Sequence, residues 1–201
     1  MAEREEIQFL TANYFTLQGL RAVPPGLTLL LVTLWANFTT RPSRIIYIPL
    51  LVIALGAALY WFIDRYYKNR YGQAIPKQED RLRYVLIQIL AGALGLAAFW
   101  ADTRYLVPVS LIGLVFAAGF TYEFLRSANS GKGSGRVYHL ILGVLIALVS
   151  FSPLFGLEPW WRALGLRGQL VGVIVVVSGI VLAAGVLDHF YLRSRLQVEG
   201  R

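Results

Sequence analysis

An all-α bundle of about six membrane-spanning helices is the fold class this sequence predicts, and composition, the length of its apolar runs and the placement of its basic residues carry the prediction. Of 201 residues, 57% are apolar and only 15% are charged, against about 25% charged in soluble domains. The runs are long enough to cross hydrocarbon, near 1.5 Å per residue against a core of about 30 Å. They do not alternate as barrel strands do, and unpaired backbone groups in lipid cost several kcal/mol each, so the spans are helical.

Residues 1–21 come first. Met1 to Glu6 is mainly acidic, so no cleavable signal peptide is expected, and the first span would insert as its own signal. Ile7, Leu10, Tyr14 and Leu17 recur at helical spacing among Gln8, Thr11, Asn13 and Gln18, which predicts an amphipathic N-terminal helix lying on the membrane or on the bundle. Pro24 and Pro25 then suit a first helical turn, whose amides lack intrahelical acceptors.

The transmembrane domain occupies 22–192, with apolar runs at 22–39, 45–64, 84–101, 105–125, 137–155 and 170–190, and a short tail covers 193–201. One side collects Arg4, Arg21, Arg65, Lys68, Arg70, Lys77, Arg81, Arg83, Arg126, Lys132, Arg136, Arg193, Arg195 and Arg201; the other holds Arg41, Arg44, Arg104, Arg162 and Arg167. The positive-inside rule places the richer side, with both termini, in the cytoplasm of a multi-pass cell (plasma or inner) membrane protein. Tryptophans 35, 100, 160 and 161 fall at the outer ends. Trp61 with Tyr66, Tyr67, Tyr71, Tyr84, Tyr122, Tyr138 and Tyr191 mark the inner ones. The connection 65–83 reads as the longest cytoplasmic loop, and 127–135, rich in Gly and Ser, as a flexible linker whose Gly-Lys-Gly-Ser lacks the phosphate-loop spacing.

A two-helix hairpin is repeated. Trp35-Ala36-Asn37 with Thr40-Arg41 recurs as Trp100-Ala101-Asp102-Thr103-Arg104, and Pro49 precedes Asp64 by the same fifteen positions that separate Pro108 from Glu123. A third hairpin shares only its ending, Asp188-His189-Phe190-Tyr191-Leu192-Arg193.

The formal net charge of +8 is spread between apolar runs, so topology rather than nucleic acid accounts for it. Cysteine is absent, which excludes disulfides, thiolate metal sites and cysteine nucleophiles. The serines lack a nucleophile-elbow pattern, and the two histidines lack zinc spacing. No metal or cofactor is therefore expected. Asp64, Glu123, His139, Asp188 and His189 lie near one end of their helices, where a ring of acids and imidazoles would suit a proton relay or cation site. The plainer alternative pairs each carboxylate with a nearby base, as Asp64 with Lys68 at i,i+4. At the outer face Asn37, Asp102 and Arg104, with Arg41 and Glu158, form a smaller polar set. Gly56-Ala57-Ala58, Gly92-Ala93 with Gly95, Ala117-Ala118-Gly119 and Gly179 with Ala183-Ala184-Gly185 let helices approach closely within the chain, in a homo-oligomer or against other membrane subunits.

The function expected first is a non-enzymatic subunit or partner in a membrane complex, with lipid bilayer and other subunits as neighbours and no nucleic acid. A small permease or ion/proton pathway through the acids and histidines is the alternative. An intramembrane enzyme on lipid headgroups, with a metal near His139 and His189, is the third class.

Overall fold

Apolar runs that cannot leave backbone groups unpaired in lipid form helices throughout. The computed structural model describes residues 18–39, 46–71, 78–105, 108–129 and 136–198, and among them there is no strand. A 3-10 turn, Gly19–Ala22, leads into α1 (Val23–Phe38); α2 is Tyr47–Tyr71, α3 Gln78–Arg104, α4 Leu111–Asn129 and α5 Val137–Ser150. A second 3-10 turn, Ser152–Phe155, and a six-residue helix, α6 (Glu158–Ala163), precede α7 (Gln169–Val198). The predicted amphipathic segment falls mostly on residues 1–17, outside the described residues.

Five of these helical stretches are long and apolar enough to cross a membrane: Gly19–Phe38, Tyr47–Arg70, Val85–Arg104, Leu111–Ala128 and Gln169–Ser194. The protein is a membrane-embedded all-α bundle.

Helix ends differ from the apolar runs at several places. The expected loop 65–83 is largely helical, because α2 continues to Tyr71 and α3 starts at Gln78. Leaving hydrocarbon does not end a helix, and Arg65, Lys68 and Arg70 are good helix formers that precede the first breaker, Gly72. The run 105–125 becomes helical only at Leu111, behind Pro108 and a side-chain cap from Asp102. The run 137–155 is not one helix: α5 stops at Ser150, and Pro153 sits in the following 3-10 turn. Proline has no N–H and its ring crowds the carbonyl four residues back, so the α ladder ends before it. The fourteen residues of α5 reach only about 21 Å. Gly156 at φ 62° and Gly165 at φ 76° turn the chain on either side of α6, which lies between the apolar runs 137–155 and 170–190.

The chain divides into two compact units. In the first, formed by described residues up to 71 and by α7 from Ser178, small residues bring the helices together: Gly26 of α1 faces Val181 and Leu182 of α7, and Gly56 of α2 faces Thr28 of α1. In the second, formed by α3 to α6 and by α7 up to Val177, Gly143 of α5 lies on Ala117, Phe120 and Thr121 of α4, and Gly113 of α4 lies on Ser150 and Val173. Ile146, Ser150 and Val173 are fully enclosed there. The helices are unequal in burial: none of the apolar window of α2 is buried and almost none of α3, whereas 39% of that of α7 is. Leu50, Leu55, Leu86, Leu90 and Leu96 stand exposed around α2 and α3, a surface suited to acyl chains.

Candidate functional site

Gly19 and Gly185 make the first contact of the candidate site. A side chain at Gly19 would run into the Gly185 carbonyl, Asp188 Cβ and the His189 backbone nitrogen; one at Gly185 would lie 2.7 Å from the Gly19 carbonyl oxygen. Paired glycines thus let the 3-10 turn rest directly on the backbone of α7. This contact places Asp188, itself buried, beneath the turn, and His189 beside it.

α2 fastens the same turn from another direction. Arg21, in the turn, donates from Nη2 to Asp64 Oδ1, and Lys68 reaches Asp64 Oδ2 across one helical turn. Asp64 and Arg21 are mostly enclosed, with side chains 20% and 15% exposed, so they are less screened by solvent than a surface pair. Three residues after Asp64, on the same face of α2, Tyr67 is fully buried. Its Oη accepts the Leu20 backbone N–H at 3.3 Å and lies 2.9 Å from His189 Nδ1, the two rings meeting edge-on at 5.9 Å. The phenol can therefore donate its proton to a bare Nδ1 or accept from Nδ1–H, so the same heavy-atom geometry serves either tautomer and the charged ring.

A second constellation repeats this device in the other unit. Glu123 of α4 faces Arg126 on its own helix at 3.8 Å and Arg136, just before α5, at 3.6 Å. Four residues after Glu123, Ser127 donates to the Phe124 carbonyl, and its Oγ accepts the Arg136 backbone N–H at 3.2 Å. His139, in the first turn of α5, is buried with its ring against Phe120 at 5.6 Å and Tyr138 at 4.6 Å.

The proposed ring of five thus falls into two groups. Asp64, Asp188 and His189 gather round the turn at 19–22 in the first unit, and Glu123 and His139 flank Arg136 in the second. The pairing of Asp64 with Lys68 at i,i+4 is present. Among the described residues, no three of His, Asp and Glu come close enough together to hold a metal ion.

Of the expected outer polar set, Asp102 belongs to the second unit and caps α4: Oδ1 accepts the Leu111 N–H at 2.8 Å, and Oδ2 accepts the Ile112 N–H and the Ser110 hydroxyl, each at 3.0 Å. A carboxylate at a helix N-terminus also meets the favourable end of the helix dipole. Arg104 is exposed at the end of α3, and Asn37 is buried near the end of α1 in the first unit. Arg41 lies outside the described residues, as does the side chain of Glu158.

Tyr67, Arg21, Arg136 and Ser127 were not singled out as site residues by sequence, though each had a faint signal. Tyr67 follows Asp64 at i+3, Ser127 follows Glu123 at i+4, and each arginine lies within two residues of the start of a helix. No family model, characterised protein or solved structure matches this chain.

Proposed function

We propose that this chain is a non-enzymatic subunit or partner of a membrane assembly, resident in the cell membrane with both termini in the cytoplasm, an orientation in which the short apolar helix α5 completes a sixth crossing. The observation that carries the reading is the engagement of its two hairpin acids. Asp64 is matched by Arg21 and Lys68, and Glu123 by Arg126 and Arg136, so each carboxylate fastens one helix to the segment that starts another instead of facing an open site. Asp102, the acid of the outer set, is likewise engaged in a helix cap. A partner surface is supported by α3, where a side chain added at Gly92 or Gly95 would meet open space.

The chain has no cysteine, so Gly95→Cys introduces a unique cross-linking point. Native membranes treated with a thiol-to-amine cross-linker should yield a discrete adduct heavier than the 22.5 kDa chain. A chain recovered only as the uncross-linked monomer, in membranes and after mild extraction alike, would remove the reading. Orientation rests on the bias of basic residues, and a cysteine at either terminus should react with an impermeant reagent only after the cytoplasmic side is opened.

A proton pathway is the second reading, and the hydrogen bond between Tyr67 and His189 favours it. Liposomes holding the protein should then pass protons in a manner lost on Tyr67→Phe and on His189→Asn. Identical flux in these variants and the parent would leave the pair a structural role only.

A further inference from the structure

The last turns of α2 carry two contrasting faces. One is turned inward, with Tyr67 buried and Asp64 bound to Arg21 and Lys68. The other exposes three aromatic rings, Trp61 at 53%, Phe62 and Tyr66, and then the exposed cations Arg65, Lys68 and Arg70. The order matters. Trp61 precedes Arg65 by one turn, and Phe62, Tyr66 and Arg70 follow one another at intervals of four, so rings and cations are layered about 6 Å apart along the axis. The Arg65 guanidinium lies over the Trp61 ring, 5.5 Å from its centre.

Charge balance is one-sided at this end. Asp64 is the only acid between Glu6 and Glu79, and it is already bonded to Arg21 and Lys68. Among the described residues neither Arg65 nor Arg70 pairs with a carboxylate. α2 has 25 residues, about 37 Å, and overruns a core of about 30 Å by about 7 Å, a little over one turn, at the end that carries these cations.

We infer that the C-terminal turns of α2 form a binding surface for acidic phospholipids, with Arg65 and Arg70 on the headgroup phosphates and Trp61, Phe62 and Tyr66 at the acyl boundary. The occupant is a lipid because the cations stand one turn beyond aromatic rings that suit the headgroup level, on a helix whose preceding turns are apolar and exposed. The inference rests on α2 crossing the bilayer and does not depend on the partner reading.

The test uses the full chain in phosphatidylcholine vesicles, with Asn69→Cys labelled by a fluorophore as the only thiol. Trace lipids bearing a nitroxide on the acyl chain quench the probe on contact. Spin-labelled phosphatidylglycerol should half-quench it at a several-fold lower mole fraction than spin-labelled phosphatidylcholine. Arg65→Gln with Arg70→Gln should bring the two lipids close to parity, each lost cation being worth about fivefold. The charge-preserving pair Arg65→Lys and Arg70→Lys should keep the preference and shows that the helix still folds, and Arg162→Gln, an exposed arginine of the other unit, should leave it unchanged.

Equal quenching by the two lipids in the parent overturns the inference, as does a preference that survives the double glutamine variant or falls equally in Arg162→Gln. Loss of the preference in millimolar glycerol phosphate would assign the cations to a soluble anion and overturns it too. A probe quenched by neither lipid, on a chain that alkaline washing releases, would overturn the membrane reading itself.

Discussion

Asp64 and Glu123 stand at equivalent positions of the two hairpins, each fifteen residues after a proline, and their surroundings are alike in plan and different in chemistry. Each acid faces one base on its own helix and one arginine from the segment leading into another helix, Arg21 before α1 and Arg136 before α5. In each case a hydroxyl one turn further on accepts a backbone N–H from that same segment: Tyr67 takes it from Leu20, and Ser127 from Arg136. The fastening in the first unit is tighter, since Asp64 is hydrogen-bonded to Arg21 while Arg136 stays 3.6 Å from Glu123. It also extends further, because the Tyr67 hydroxyl reaches on to His189 of α7, whereas Ser127 bonds back to its own helix. The two hairpins thus hold their acids at matching positions but fasten them in opposite directions, Asp64 back to the segment before α1 and Glu123 forward to the segment before α5, and only the first of these staples joins a third helix.

The largest effect should come from the close backbone approach that accompanies the first staple. Gly19→Ala drives a methyl into the α7 backbone at Gly185 and His189, which side-chain rotation cannot relieve, and should cost about 3 kcal/mol in detergent unfolding. Gly143→Ala, in the second unit, brings a methyl to 3.2 Å from the Ala117 carbonyl oxygen and Thr121 Oγ1; the crowding is mild and better helix propensity offsets it, so the change should stay within about 1 kcal/mol. Equal costs would mean that the first unit is no more tightly closed than the second. Next in size is the coupling within each staple. A double-mutant cycle of Asp64→Asn with Arg21→Gln should give about 2 kcal/mol, and one of Glu123→Gln with Arg136→Gln about 1 kcal/mol. The cycle is needed because Glu123→Gln alone also removes the negative charge facing Arg136, whose side chain is 1% exposed, and that cost would mask the pair term. A larger coupling at Glu123 would reverse the ranking drawn from geometry.

Much of this arrangement was legible in the sequence, and what was not has a physical reason. Apolar runs locate helices well because hydrocarbon tolerates no other backbone. They locate helix ends poorly, because α2 runs seven residues past its last predicted apolar position, carried by arginine and lysine, which favour a helix in water as well, and by tyrosine and asparagine, which do not break one. Pro153 gave the break in the fifth run, yet hydropathy averaged over it. The spacing of Pro49 to Asp64 and of Pro108 to Glu123 made the two acids equivalent before any partner was visible, and Lys68 was foreseeable at i+4. Arg21 and Arg136 were not foreseeable as partners. Each comes from a different element than its acid, so the contact depends on how helices pack, which one chain's periodicity does not encode. The same holds for Tyr67, whose place among the aromatic residues near helix ends hid the fact that it faces inward while Tyr66 stays exposed.

The smallest effect is the most specific, because it separates the two staples by a single oxygen atom in each. Tyr67→Phe keeps the ring in its buried slot and removes only Oη, leaving both the Leu20 N–H and His189 Nδ1 without that partner. Ser127→Ala removes one acceptor, that of the Arg136 N–H, while the Phe124 carbonyl loses only a second bond. A lost hydrogen bond that strands a buried group costs on the order of 1 kcal/mol. Tyr67→Phe should therefore cost about 1.5 kcal/mol and Ser127→Ala about 1 kcal/mol, measured by the same unfolding in detergent. The decisive part lies in what else changes: in Tyr67→Phe the imidazole of His189 loses its hydrogen-bond partner at Nδ1, so its ring nitrogen resonances should shift, and in Ser127→Ala they should not. If His189 kept the same tautomer and the same resonances without the Tyr67 hydroxyl, the first staple would end at Leu20. The two hairpins would then differ in tightness alone.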